Sequence, residues 1–365
     1  MERSIFWVLF FLGFGLTHAT AQTLPKEATY PGASWEMADA KSLGWSQQKL
    51  EEAKLFASTM PAGGTVIVER GRVVAQWGDV SERIKVSSIR KSFLSALYGI
   101  HVRAGRIGLD TTLAQLSVDD TPPLTSEEKL ATVRMLLQSR SGIFHPYVGG
   151  TVADRARMPA RGSHAPGTFW YYNNWDFNAL GTIFEQQTKT TIAAEFRERI
   201  AIPIGMQDLR PEDMYNFGGT SKTADVEQSV HPAYHFRVSA RDAARFGYLY
   251  LRQGRWDDKQ IIPSDWVVES TTAYSKVGER GGYGFLWWLD SGPGVSVKSY
   301  SAVGALGKYI IVMPERELVI VYLNRTAFPD DAAAVPSSEM AKLPTATRAQ
   351  VRQLLSLILE AQPQR

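Results

Sequence analysis

The spacing of apolar and polar positions along the chain defines a small set of elements. Ser46–Ser58, SQQKLEEAKLFAS, carries apolar residues at helical spacing behind a serine, the pattern of a capped amphipathic helix. Gly64–Gly78, GTVIVERGRVVAQWG, alternates and breaks at Arg70-Gly71, which predicts a β-hairpin. Val86–Ile100, VSSIRKSFLSALYGI, opens with two serines and a lysine, and from Phe93 onward reads as a buried helix. Ser239–Gly254 is another capped helix ending at glycine. Strand-like runs return at Tyr283–Asp290, Lys308–Pro314 and Glu317–Asn324, the last two joined by a turn at Pro314–Arg316. Ala346–Ala361 reads as a closing helix.

Between Gly105 and Ser239 the pattern is richer in helices, loops and Gly/Pro punctuation. Strands near both chain ends with a helical stretch between them predict an α+β fold: an antiparallel sheet built from both ends, flanking helices and a mainly helical insertion. The expected boundaries are residues 22–105 and 240–365 for the sheet domain and 106–239 for the inserted domain. No internal repeat or low-complexity tract stands out.

The N-terminus follows a different rule. Met1–Ser4 is charged, Ile5–Leu16 is an apolar run too short for a comfortable membrane span, and Ala19-Thr20-Ala21 has the small-x-small form of a cleavage site. Residues 1–21 are therefore expected to be an export signal, with Gln22 as the mature N-terminus and an uncleaved anchor as the alternative. No later segment has the length and apolarity of a span, so no stable membrane span is expected after cleavage. The chain of 365 residues has no cysteine, which excludes disulfides, lipidated cysteine, a thiol nucleophile and a Cys-ligated zinc. An exported chain without disulfides suits a bacterial periplasm. The formal net charge of +3, without a long run of one sign, gives no reason to expect nucleic acid as a partner.

The helix beginning near Ser88 raises a chemical question, because burying a lysine costs free energy unless something compensates. Ser88 and Lys91 stand at i and i+3, so their side chains share a face. A serine hydroxyl needs a base before it becomes a useful nucleophile. A lysine serves as that base when desolvation or neighbouring positive charge lowers its pKa. S-x-x-K occurs three times. Ser46…Lys49 and Ser126…Lys129 precede charge-rich helices, where the serine reads as a cap and the lysine as a solvated residue; only Ser88…Lys91 feeds an apolar helix.

A second segment, Ala165–Gly181 (APGTFWYYNNWDFNALG), joins a Pro-Gly turn to a cluster of aromatics and amides. A tyrosine there would relay protons and an asparagine would orient a substrate amide. Phe169 and the tryptophans read as packing residues, and Asn173 or Asn174 as a helix cap. The spacing Y-x-N fits both Tyr171…Asn173 and Tyr172…Asn174.

With both segments in view, the chain resembles the serine β-lactamase and penicillin-binding-protein superfamily, and within it the class C-type members: class C β-lactamases, DD-peptidases, carboxylesterases and nylon-oligomer hydrolases. Ser88-Ile-Arg-Lys91-Ser-Phe matches S-x-x-K-S-F. Counting forward from Pro166 and back from Leu180-Gly181 selects Tyr172 and Asn174 as the family's Y-x-N. Leu136–Ile143, Pro203–Met206, Ser239–Gly247 and Tyr283–Trp288 also resemble stretches of relatives, so the resemblance covers about residues 40–360. It implies a β-lactamase/transpeptidase-like fold and an acyl-enzyme on Ser88, with Lys91 and Tyr172 as the proton relay. It also implies an oxyanion hole from the N–H groups of Ser88 and Ala305, no cofactor, and a small-molecule or peptide acyl substrate. Asn174 and Gly304 would contact substrate, and Tyr234, His235 and Arg237 are further candidate cleft residues. One position departs from the pattern. Where many relatives carry K-T-G or H-x-G, this chain reads Ala302-Val303-Gly304, so the cation or imidazole is missing. Lys308 stands close by in sequence.

Two rival chemistries are weaker. His231 and His235 have i,i+4 spacing, but the glutamate of H-E-x-x-H is absent and Pro232 interrupts a helix, so no metal is expected. His145 is either a loop residue or part of the cleft wall. Gly304–Lys308 fails the phosphate-loop spacing, and there is no G-x-S-x-G elbow. The other function class compatible with the motifs is a slowly deacylating penicillin-binding-type sensor or scaffold.

Overall fold

A computed structural model describes residues 28–218, 229–279, 281–290, 299–330 and 335–363. The expected signal segment and its cleavage point lie outside the described residues. The strands are β1 (Gly63–Glu69), β2 (Arg72–Gly78), β3 (Ile84–Lys85), β4 (Met214–Phe217), β5 (Ala233–Val238), β6 (Arg255–Trp256), β7 (Lys259–Gln260), β8 (Ser275–Val277), β9 (Gly281–Tyr283), β10 (Trp288–Asp290), β11 (Ser299–Gly304), β12 (Lys308–Met313) and β13 (Leu318–Asn324). Eight of them form one antiparallel sheet in the order β2-β1-β13-β12-β11-β10-β9-β8.

The hairpin β1–β2 turns where its chemistry allows: Arg70 and Gly71 both have positive φ, 51° and 86°, the form that matches strand twist in a two-residue turn. β1 then pairs with β13, Val66 opposite Val321 and Ile67 opposite Ile320, so the two chain ends close one sheet. Successive side chains enter opposite cores. Val66, Val68, Val319 and Val321 pack on one side. Ile67, Leu318, Ile320 and Tyr322 pack on the other. Burial on both faces explains why β13 is apolar at every position from Leu318 to Leu323.

The helices Gln47–Ser58 and Arg348–Ala361 cover one face and touch each other, while Ala240–Leu251 lies across β1, β12 and β13 on the other. The Arg90–Arg103 helix sits deeper, packed against the helices Asn174–Thr188, Ile192–Phe196 and Ser264–Ser270. A separate three-stranded sheet, β3-β5-β4, borders the mainly helical stretch. No helix among the described residues is long and apolar enough to cross a membrane.

Two sequence expectations are corrected. Tyr283–Asp290 is not one strand. The chain reverses between β9 and β10 in a tight turn closed by Gly284 N–H donating to the Trp287 carbonyl, with Leu286 at φ 65°. The cap of the Glu128–Leu130 turn is Thr125, whose Oγ1 accepts from Glu128 N at 3.1 Å, and not Ser126. Ser46 caps its helix as expected, accepting from Lys49 N.

Candidate active site

Ser88 lies in a single 3₁₀ turn, Ser87–Ile89, that leads directly into the Arg90–Arg103 helix. Ser87 holds φ at 51°, a left-handed conformation unusual for a residue with a side chain. Such strain persists only where the surroundings over-determine it, and it concentrates at functional sites. Here Val86 N–H donates to the Phe236 carbonyl of β5, fixing the approach to the turn.

Lys91 is 2% exposed and its amine is the hub of the site. Nζ lies 2.9 Å from Ser88 Oγ, 2.5 Å from Tyr172 Oη and 2.7 Å from Asn174 Oδ1. It also sits 4.4 Å from the ring centres of both Tyr172 and Phe177. Burial pushes its pKa well below the ordinary lysine range, and the neighbouring Arg90 charge pushes the same way, against a smaller opposing effect of Asp154. A neutral amine here donates its two N–H bonds to Tyr172 and Asn174 and turns its lone pair to Ser88 O–H. Burial holds the Tyr172 phenol up at about 12, so it is protonated and able to donate.

The tyrosine register follows from one extended segment. Ser139 Oγ donates to the Tyr171 carbonyl and accepts from Asn173 N, pinning the chain before the Asn174–Thr188 helix. Alternation along extended chain then sends Tyr172 and Asn174 to one side. Tyr171 faces Phe144 and the Asp154 carbonyl instead, and Asn173 caps the helix through Trp175 N.

Gly304 ends β11 against the same turn. A Cβ there would lie 2.4 Å from the Val86 carbonyl oxygen, so only glycine lets this strand end approach the residues before Ser88. β11 pairs with β10 only through Ser299–Ser301. Its Ala302–Gly304 end is therefore unpaired on that side among the described strands. Ala305 follows at this open end, partly exposed. Ala302, where relatives place the cation or imidazole, is fully buried. Lys308 is buried too and spends its ammonium on the carbonyls of Ala305 (3.3 Å) and Thr326 (2.8 Å); burial, then the Lys85 charge, lowers its pKa to about 8.

Tyr234, His235 and Arg237 form no hydrogen bond with Ser88, Lys91, Tyr172 or Asn174 among the described residues. The Tyr234 ring lies under the Arg90 guanidinium at 4.5 Å. His235 Nε2 is 3.4 Å from Asp330 Oδ1, in a group that includes Tyr215 and Lys85, and Arg237 stands over the Tyr215 ring. Burial, then the nearby Arg90 and Lys85 charges, hold His235 neutral. His145 is buried beside Asp120 and Trp175, and His231 contacts Thr182.

Sequence reasoning missed Tyr147, whose buried hydroxyl meets the Asn174 side chain. Nothing in the sequence around it marks it. Of the two adjacent tryptophans, Trp287 is core, packed on Tyr250 and Phe246. Trp288 stacks on Tyr172 with ring centres 5.2 Å apart.

A sequence model of the Beta-lactamase family matches residues 48–341. The chain belongs to that family. Several solved structures share the fold at low identity. A class C beta-lactamase superposes with a TM-score of 0.63 at 14% identity, covering 90% of this chain and 98% of its own. A Bacillus anthracis protein assigned as a 6-aminohexanoate-dimer hydrolase gives 0.60 at 21% identity over 85% of this chain and 83% of its own. The octameric penicillin-binding protein homologue of Pyrococcus abyssi gives 0.59 at 19% identity, over 89% of this chain and 80% of its own. The family is one of serine hydrolases that act through an acyl-enzyme, and this member keeps its β-lactamase/transpeptidase-like α+β fold.

Two consequences of the buried lysine can be measured. A base must be unprotonated, so with Lys91 as the base kcat/KM is expected to fall as pH drops through its folded pKa, giving an acid limb well below the ordinary lysine range. An acid limb absent down to the carboxylate range would remove Lys91 as base. Stability carries the opposite sign to the usual paired lysine. The unfolded side chain keeps its proton to about pH 10.4, so the unfolded state binds more protons and stability rises with pH between the two values. Lys91→Met, which keeps the volume and removes the desolvated amine, is therefore expected to gain about 1 kcal/mol while losing activity. A lower melting temperature than the parent would contradict this.

Proposed function

We propose that the protein is an exported serine hydrolase that cleaves an ester or amide bond through an acyl-enzyme on Ser88. The observation that carries this reading is the convergence of Ser88, Tyr172 and Asn174 on the single buried amine of Lys91. Ser88 Oγ attacks the acyl carbon while its proton passes to Lys91 Nζ. The developing oxyanion is held by the N–H groups of Ser88 and Ala305, donors fixed in place before the reaction. Tyr172 passes the proton on to the leaving oxygen or nitrogen as that bond breaks, and Asn174 orients both the lysine and the substrate amide. Water then attacks the acyl-enzyme, and the proton path runs in reverse. The expected export rests on the N-terminal signal pattern, and a periplasmic setting agrees with the absence of cysteine.

The geometry favours substrates that are uncharged beside the acyl carbon. Ala302 supplies no cation, and the Lys308 ammonium is turned to two backbone carbonyls. A carboxylate next to the acyl centre would be desolvated with little compensation. Short-chain nitrophenyl esters are therefore expected to exceed a chromogenic cephalosporin in kcat/KM by about 10² or more, about 3 kcal/mol of transition-state binding. A β-lactam constant of about 10⁷–10⁸ M⁻¹s⁻¹, near the diffusional range, would overturn this specificity.

A panel of esters, linear amides, D-amino-acid peptides and β-lactams, followed by intact-mass detection of the acyl-enzyme, tests the whole reading. Repeated turnover on at least one compound is expected. A single stoichiometric acylation across the panel would instead identify a slowly deacylating sensor.

A further inference from the structure

Trp288, which stacks on Tyr172, also lines a cavity of about 340 Å³ between the sheet and the Arg348–Ala361 helix. Its volume falls in the range of small-molecule sites. Val303, Ile311 and Leu355 give it apolar walls. Trp288 and Val303 border it on the side of the reaction centre: Trp288 lies against Tyr172, and Val303 precedes Gly304 at the open end of β11. A chain that rounds the open strand end at Val303–Gly304 would run from the acyl centre toward the cavity.

The charge at its rim has a definite sign. Arg348 and Arg352 stand one helical turn apart and both line the cavity, with Arg348 over the Trp288 ring at 6.0 Å. Neither forms an ion pair among the described residues, and one carboxylate, Glu279, lines the same space. Arg348 is the first residue of its helix, where the helix dipole disfavours a cation. Among the described residues, two guanidiniums against one carboxylate, with Arg348 at the helix N-terminus, make a positive rim over an apolar floor.

We propose that this cavity is a subsite for a carboxylate carried on an apolar chain, the far end of the acyl substrate whose scissile bond lies at Ser88. The substrate role rests on the hydrolase reading above. Neither Ser88 nor Tyr172 lines the cavity, so a carboxylate held by its arginines is compatible with a centre that rejects charge beside the acyl carbon. The guanidiniums recognise the carboxylate through charge-assisted hydrogen bonds, and the aliphatic stretch fills the walls.

Binding is tested first without catalysis. Calorimetry on full-length Ser88→Ala protein with octanoate and with octylamine is expected to show octanoate bound at least about tenfold more tightly. An Arg348→Ala/Arg352→Ala pair added to that protein should erase the difference, and Arg→Lys at both positions should keep most of it. Equal affinities, or an octanoate preference that survives the double alanine variant, would overturn the site. Its role as a substrate subsite is read on the active protein, as the ratio of kcat/KM for 4-nitrophenyl hydrogen suberate to that for 4-nitrophenyl octanoate. The double alanine variant is expected to lower that ratio about tenfold, and an unchanged ratio would overturn the substrate role. Arginine-dependent octanoate binding with hydrolysis of neither ester would leave an anion site and remove the hydrolase reading, so the two failures are distinct.

Discussion

Replacing Ser88 by alanine is expected to abolish acyl transfer, a loss of several orders of magnitude, with the fold intact. The size of the effect follows from the chemistry: without Oγ no covalent intermediate forms, and the remaining groups act only on bound water. The fold survives because Ser88 is partly exposed and the strained turn at Ser87 is held by backbone contacts, chiefly Val86 to Phe236. The measurement is a fluorophosphonate probe with intact-mass and peptide readout. One adduct on Ser88 is expected, and none in Ser88→Ala protein. Labelling of Ser46 or Ser126 would sink the assignment. Ser46 offers no base to activate it: its Oγ caps a helix, and Lys49 is engaged with Glu52 at the surface.

The next largest effect separates two adjacent tyrosines. Lys91→Ala and Tyr172→Phe should each lower the acyl-transfer rate by about 10²–10⁴, since each removes one station of the proton path. Tyr171→Phe should change it little, because that hydroxyl points to the Asp154 carbonyl and the ring packs on Phe144. Pre-steady-state acylation with a nitrophenyl ester reads the step directly. Equal losses at both tyrosines would mean that the phenols act through packing rather than proton transfer. A larger loss at Tyr171 would reverse the assignment.

Some of this protein was written locally. The β1–β2 turn needs two residues at positive φ, and Arg-Gly sits at the break in alternation; the Ser46 and Ser239 caps stand where their helices begin. The Ser88/Lys91 pair depends only on helical spacing, so both its contact and its unusual apolar setting were readable, as was the sheet closed from both chain ends. These features rest on interactions within a few residues, or on the periodicity of long apolar runs.

What only the tertiary structure decided involves distant partners. Tyr171 and Tyr172 have the same local pattern, and Ser139, more than thirty residues earlier, chooses between them by pinning the extended segment. Lys308 stands close in sequence to the missing cation, but its ammonium is held by the carbonyls of Ala305 and Thr326. The apolar run Tyr283–Asp290 split into two strands because a turn at Gly284–Trp287 buries Trp287 in the core and leaves Trp288 against Tyr172. Tyr234, His235 and Arg237, adjacent in sequence to a family motif, were drawn to Arg90, Asp330 and Tyr215. In each case the side chain had more than one chemically adequate partner, and which one it met was settled by packing between segments that the chain brings together only when folded.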